Sequence, residues 1–394
     1  MLSLGTTPLA NSYLLEEQLN DEEPSVPLEV YFCEDCGLVQ LLHVVSAETL
    51  FRYYLYVPSA SDTLQQHFGG LAADLADVAR LEQGDLVVEI ASNDGLLLKQ
   101  IRSLGYTTLG VEPASNIAAK AREEEGLDVI DEFFDFALAQ RIREERGPAS
   151  AIVGTNVLAH VDEVRDFLRG VEHLLADDGV VCIEAPHLLD LVEKCEFDTV
   201  YHEHLSYFSL QALITLYESV GLTIFKVRQV PIHGGSLRFF AAKTGTREPD
   251  DDSVQRVLQL EKEHGLDRLE TYQAFAESVE GVRRDLRELV SSLKSDGKRI
   301  AGYGAAAKGM TMLSYCGLGT ETLDYVIDRS PYKQGRYTPG SHLPILPPEK
   351  LITDPPDYLL ILAWNFADEI MAQQDAYKQA GGRFILPVPT PRVV

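Results

Sequence analysis

The chain has 394 residues, long enough for two or three domains with more than one core. Its 34 Lys and Arg stand against 61 Asp and Glu, a net charge of −27, which argues against the basic face that nucleic-acid binding needs. No run approaches the length of a membrane span, the N-terminus lacks a basic-then-apolar leader pattern, and five cysteines fit a reducing compartment, so the expectation is a cytoplasmic protein with neither membrane nor nucleic acid as partner.

Residues 1–60 read as irregular, with Pro8, Pro24 and Pro27 and the turn Cys33-Glu34-Asp35-Cys36-Gly37. C-x-x-C-G places two thiolates on one tight turn, as in a zinc knuckle, but a structural zinc needs four ligands. His43 is the one histidine nearby and there is no second C-x-x-C, so half a zinc site and a plain turn with two free thiols stay open as readings. The abrupt start at Met1-Leu2-Ser3-Leu4-Gly5 leaves room for an upstream knuckle. Cys182 and Cys195 sit among apolar neighbours and read as packed thiols. Tyr54 and Tyr56, in a hydroxyl-rich stretch ending at Ser61, would point the same way if extended.

From Phe68 to Leu81 the apolar positions Leu71, Leu75, Val78 and Leu81 recur at helical spacing. Strands and helices then alternate: Leu86–Ile90, a helix to Leu104, Thr107–Val111, a helix over 116–125, Val129-Ile130, a further helix, Ala151–Gly154, a helix over 163–175, and Val180–Glu184 after the turn Asp177-Asp178-Gly179. This rhythm predicts a doubly wound parallel sheet. Phe225–Val230 and Leu237–Ala242 read as a late antiparallel pair. Residues 246–297 read as a charged, helical connector outside the cores, and a second α/β rhythm starts at Arg299. The expected division is an N-terminal segment (1–62), a first α/β domain (63–245), the connector (246–297) and a second, Rossmann-like domain (298–394).

Beside the Tyr54–Ser61 stretch, four constellations carry chemistry. The strand Val87–Ile90 ends in Ala91-Ser92-Asn93-Asp94-Gly95, and a second strand about twenty residues on ends in Glu112. An acid at that distance can hold ribose hydroxyls. The three-glycine dinucleotide pattern is missing, so a nucleoside without pyrophosphate fits better, and S-adenosylmethionine is the candidate, with Glu89, Ala91, Asn93, Asp94, Gly95, Glu112 and Asn156 around it. Tyr201-His202-Glu203-His204-Leu205-Ser206-Tyr207-Phe208-Ser209 is dense in proton-transfer groups and follows the last strand of the first domain. His160 follows another strand end and is a second proton-transfer or orienting candidate. Gly302-Tyr303-Gly304-Ala305-Ala306-Ala307-Lys308-Gly309 is a glycine turn opening a helix, suited to phosphate, and Asp328, Lys333 and Trp364-Asn365-Phe366 lie at later strand ends of that domain.

Together these stretches, with Leu4–Asn11, Cys33–Leu41, His233–Arg238 and Lys333–Pro344, resemble the sugar C-methyltransferase family of deoxysugar biosynthesis. The resemblance implies a small zinc-binding N-terminal domain, a class I methyltransferase domain and a C-terminal Rossmann-like domain that helps hold a nucleotide-linked sugar. It implies His204 as the base that removes a proton beside a ketone, with Glu203, Tyr201, His160 and Tyr56 in the active site. Substrate would then meet His202, Ser236, Arg238, Tyr303, Lys308, Asp328, Lys333, Trp364 and Asn365. The departure is in the zinc domain, where two C-x-x-C pairs are usual and Cys33 and Cys36 stand alone. An O-methyltransferase, a nicotinamide oxidoreductase and a non-catalytic nucleotide-sugar binder are the competing readings.

Overall fold

The computed structural model describes residues 1–52, 54, 58–60 and 62–394, with residues 60 and 62 described by backbone alone. Tyr56, expected beside the substrate, lies outside the described residues. The first 60 residues are not irregular as expected: they form β1 (Leu2–Pro8), β2 (Ser25–Phe32) and β3 (Val39–Leu41). Leu2, Leu4, Leu28, Val30, Val39 and Leu41 are buried at every second position, the period of a half-buried strand. The signal is short and broken by Pro27, where the β1–β2 register shifts.

The central sheet runs β4 (Leu86–Ile90), β5 (Thr107–Val111), β6 (Val129–Ile130), β7 (Ala149–Thr155) and β8 (Leu175–Pro186). The chain then leaves to pair β9 (Ser206–Tyr207) with β3, and returns as β10 (Leu222–Val230) and β11 (Ser236–Lys243). The strand order is β10-β11-β8-β7-β4-β5-β6, parallel except at the β8–β11–β10 edge. Asp177, Asp178 and Gly179, expected as a turn, lie inside β8, within the register shift between its Leu175 and Val180, which pair with Ala149 and Ala151 of β7. The strands are apolar on both faces because helices cover both, and α1 (Asp62–Ala79) covers one with Leu64, Phe68, Leu71, Leu75 and Val78.

The stretch expected to be a connector is part of the core. It forms a helix Ser253–Glu263 and α2 (Leu269–Ser295), and α2 buries Tyr272, Phe275, Val279, Val282, Leu286 and Val290. These residues recur three or four apart and join the N-terminal sheet to the C-terminal domain in one apolar cluster. That domain comprises β12 (Ile300–Tyr303), α3 (Ala307–Cys316), β13 (Val326–Ile327), β14 (Ile345–Leu346), β15 (Tyr358–Ile361), β16 (Arg383–Leu386) and β17 (Arg392–Val393). Its order is β14-β13-β12-β15-β16-β17, parallel but for the last pair. The carboxyl ends of β4 and β7 and that of β12 open on one cleft between the two large sheets, where doubly wound folds place their ligands. Among the described residues no helix is long and apolar enough to cross a membrane.

Candidate active site

The cleft encloses about 470 Å³, within the range that holds a drug-sized ligand. At one end lie Ala91, Asn93, Glu112, Phe133, Phe134, Asp135, Thr155 and Asn156. The turn after β4 is left-handed at three positions, of which one is a glycine: Ala91 (φ +57°), Asn93 (φ +47°) and Gly95 (φ +78°), and Asn156 (φ +53°) after β7 is left-handed too. That conformation costs an L residue about 1–2 kcal/mol, a strain that collects at binding sites. It brings the Asn93 N–H onto Glu112 Oε2 at 2.8 Å, while Glu112 Oε1 accepts from the Ala114 N–H at 2.8 Å. Burial pushes the Glu112 carboxyl up to about 7 despite these donors. A carboxylate at a strand end, flanked by two phenylalanines and a strained polar turn, fits the ribose and adenine of S-adenosylmethionine.

Farther along the cleft, the short turn from Tyr201 to His204 closes with the His204 N–H on the Tyr201 carbonyl, 2.9 Å. It sets the two rings together with centroids 4.1 Å apart. His204 Nδ1 faces the Thr199 carbonyl at 2.8 Å. A carbonyl only accepts, so Nδ1 carries the hydrogen and Nε2 keeps its lone pair, which receives the Tyr201 hydroxyl at 2.8 Å. Burial, with neighbouring His160 and Lys308 adding to it, holds His204 well below the usual histidine range, so the ring is neutral. The next residue, Leu205, donates to Ala159 O at 2.7 Å, which brings His160 edge-on to His204 with ring centroids 4.8 Å apart. Burial lowers His160 to about 4.

Glu203 does not orient His204, whose two ring nitrogens are held by Tyr201 and Thr199. Its carboxylate accepts from Asn11 Nδ2 at 2.6 Å and from the Tyr54 hydroxyl at 3.1 Å, and burial pushes it up to about 7. It therefore ties the N-terminal segment and the Tyr54 stretch to the cluster. The C-terminal domain supplies the opposite wall through Ala306, Ala307, Lys308, Lys333, Asn365 and Phe366. Lys308 Nζ donates to His233 O at 3.2 Å and lies 4.8 Å from the Trp364 ring centroid. Buried Lys333 donates to Ala305 O at 2.7 Å above the Tyr13 ring. Two ammonium groups and the N-terminus of α3 on one wall are chemistry for an anion.

Several expected residues do not reach the cleft. Glu89, Asp94 and Gly95 lie beneath the turn: Glu89 is buried with Oε2 unpartnered, and burial with nearby Asp94 pushes its carboxyl up. His202 is buried on Val26 O at 3.1 Å. Arg238 is consumed by a buried network, donating to Glu184 at 2.6 Å and to Asp74 at 2.9 Å, while His67 holds the other Glu184 oxygen at 2.7 Å. The Ser236 hydroxyl donates to Ile232 O at 3.0 Å and the Tyr303 hydroxyl accepts from Gln374 at 3.0 Å. Asp328 caps the glycine turn through the Ala305 N–H at 2.7 Å, and Trp364 donates to Asp198 at 2.7 Å. The reading from sequence missed Phe133, Phe134 and Asp135, whose signal was their place after the third parallel strand, and Thr199, whose carbonyl leaves no signal in a sequence.

Cys33 and Cys36 do form the knuckle turn, with the Gly37 N–H on Cys33 O at 2.9 Å and Gly37 at φ +72°. Among the described residues no three His, Cys, Asp or Glu side chains gather to hold a metal, and His43 pairs with Glu29 at 3.5 Å instead. Two thiols make half a tetrahedral set, so these residues alone do not fit a closed structural zinc site.

Three family models match the chain in tandem: a zinc binding domain, assigned only provisionally by its description, at residues 1–51, a methyltransferase domain at 64–227, and a C-methyltransferase C-terminal domain at 231–389. Over its full length the chain is 40% identical to the C-methyltransferase NovU of Streptomyces niveus and covers 94% of that protein. Among solved structures it is similar to magnesium protoporphyrin IX methyltransferase of Synechocystis with bound SAM, at 14% identity and TM-score 0.36, over 46% of this chain and 79% of that one. It is also similar to the PH0226 protein of Pyrococcus horikoshii, at 14% identity and TM-score 0.39, over 51% and 100% of the two chains.

Proposed function

This chain belongs to the C-methyltransferase family, and we propose that within it the chain methylates a carbon beside the ketone of a nucleotide-linked keto-deoxysugar, with His204 as the base. The observation that carries this reading is the neutral His204, its Nε2 lone pair on the cleft beside the Tyr201 hydroxyl, in one cavity with Glu112 and Lys308. S-adenosylmethionine supplies an electrophilic sulfonium methyl, and Glu112, Asn93 and the Phe133–Phe134 wall would hold its adenosine part.

The work of the chain's own groups follows from their bonds. The C–H beside a ketone is acidic because the anion delocalises onto oxygen. For that C–H to reach Nε2, the Tyr201 hydroxyl must leave it, and the freed phenol is then a donor for the developing enolate oxygen. The Thr199 carbonyl holds Nδ1–H throughout and steadies the imidazolium once the proton arrives. Lys308, Lys333 and the start of α3 would take the diphosphate, which places the sugar between the anion wall and the base. The apolar lining, from Ile90, Val111, Phe51 and Phe68, keeps water from the enolate.

The test is mass spectrometry of a panel of nucleoside diphosphate keto-deoxysugars incubated with methyl-labelled S-adenosylmethionine. One labelled methyl on carbon in one member is the expected result. A methyl on oxygen, or none on any member, contradicts the reading.

A further inference from the structure

The turn that holds His204 is also the turn that holds the C-terminal domain. Residues Phe197–Thr199 form one turn of 3₁₀ helix, buried throughout. On one side the Thr199 carbonyl receives His204 Nδ1–H at 2.8 Å. On the other, Asp198 receives the Trp364 indole N–H at 2.7 Å, and the Lys308 ammonium lies over the same indole, 4.8 Å from its ring centroid. Phe197 packs on Tyr315 of α3, ring centroids 5.4 Å apart, so both flanks of the turn are clamped. Ala363, Asn365 and Phe366, the neighbours of Trp364, line the cleft.

We propose that Asp198 is a positioning residue for His204: by accepting the Trp364 indole N–H it fixes the carbonyl of the next residue, and so lets the seating of the C-terminal domain set the direction of the base. This rests on His204 being the base. Asp198 is one peptide bond from the carbonyl that orients the ring, and a turn this short has no slack to absorb a displacement. A misplacement near 1 Å at a reacting group costs about 10²-fold in rate. Asp198 therefore acts on proton abstraction rather than on S-adenosylmethionine binding, which occupies the other end of the cleft.

The experiment measures deuterium wash-in beside the ketone, without S-adenosylmethionine, using thymidine, uridine and cytidine diphosphate 4-keto-6-deoxyhexoses. Wild type is compared with Asp198→Ala, Asp198→Asn and Trp364→Phe. We expect Asp198→Ala and Trp364→Phe to lower the maximal exchange rate by about tenfold or more, with KM and S-adenosylmethionine affinity within about threefold of wild type. Asp198→Asn, whose side-chain carbonyl still accepts from Trp364, keeps the rate within about threefold. Trp364→Phe retains a ring under Lys308 and serves where Asp198→Ala does not fold. A loss confined to KM, an unaltered Trp364→Phe, or an Asp198→Asn as slow as Asp198→Ala overturns the positioning role and leaves the base reading standing. A wild-type enzyme that exchanges no proton with any of the probes removes the base reading and this proposal with it.

Discussion

Tyr201 and His204, three residues apart, share a hydrogen bond of 2.8 Å in which the phenol caps the one imidazole nitrogen able to accept a proton. The pair is closed before a substrate arrives, and opening it frees a base and an enolate donor together. Tyr201→Phe keeps the ring and removes the donor. It should lower kcat by about 10²-fold with little change in KM, as loss of an oxyanion donor does. Steady-state kinetics check this, and a Tyr201→Phe enzyme with wild-type kcat contradicts it.

His204→Asn should lower methyl transfer by about 10²–10⁴-fold, the range of a general base, while titration calorimetry finds S-adenosylmethionine binding unchanged. The cofactor end at Ala91, Asn93 and Glu112 is separate from the Tyr201–His204 turn within the cleft. Loss of cofactor binding together with activity speaks against the base role.

Arg238 neutralises Glu184 and Asp74 in the interior. Arg238→Ala leaves Glu184 to His67 and Asp74 to Arg228 alone, and should cost about 1.5–3 kcal/mol of stability in urea unfolding. An Arg238→Ala protein of native stability whose only defect is a raised KM would restore the role in substrate binding expected from its sequence position.

Stability should change little between about pH 4.5 and 6, where two sets of buried groups oppose each other, and fall above about pH 6. Burial holds His160 and His233 at about 4 and His204 lower than usual, so these three contribute stability that is lost as pH falls below the ordinary histidine value. Burial raises Glu112, Glu196 and Glu203 to about 7 and Asp198 to about 6, so their contribution is full at low pH and is lost as pH rises through 6–7. Thermal melts from pH 4.5 to 8.5 should show Tm nearly level up to about pH 6 and falling above it. A Tm that climbs steadily to pH 8.5 contradicts these environments.

The doubly wound sheets were legible because buried parallel strands are short apolar runs and the helices between them keep a clean period, as from Leu86 to Val111. The N-terminal sheet was not, since its strands are closed by Ser206–Tyr207 from far along the chain, a pairing no local pattern carries. The helix Leu269–Ser295 was misread because its charged positions outnumber the single apolar stripe it buries. At the site, Tyr201, His204, His160 and Lys308 could be named from side-chain chemistry and place in the chain. Arg238 and His202 could not be told from ligand contacts, because a buried ion pair and a binding residue look alike until the partner is known. The turn ending at Gly95 was legible, but the left-handed backbone at Ala91 and Asn93 inside it was not, since neither is a glycine.

The most direct measurement of the central claim is proton exchange beside the ketone of the nucleoside diphosphate keto-deoxysugars in deuterated buffer, with S-adenosylmethionine left out. Wild type should wash deuterium into one carbon, and His204→Asn should leave that carbon unlabelled. Equal labelling by both proteins, or a wild-type enzyme that labels no carbon yet transfers its methyl to an oxygen, would contradict the account.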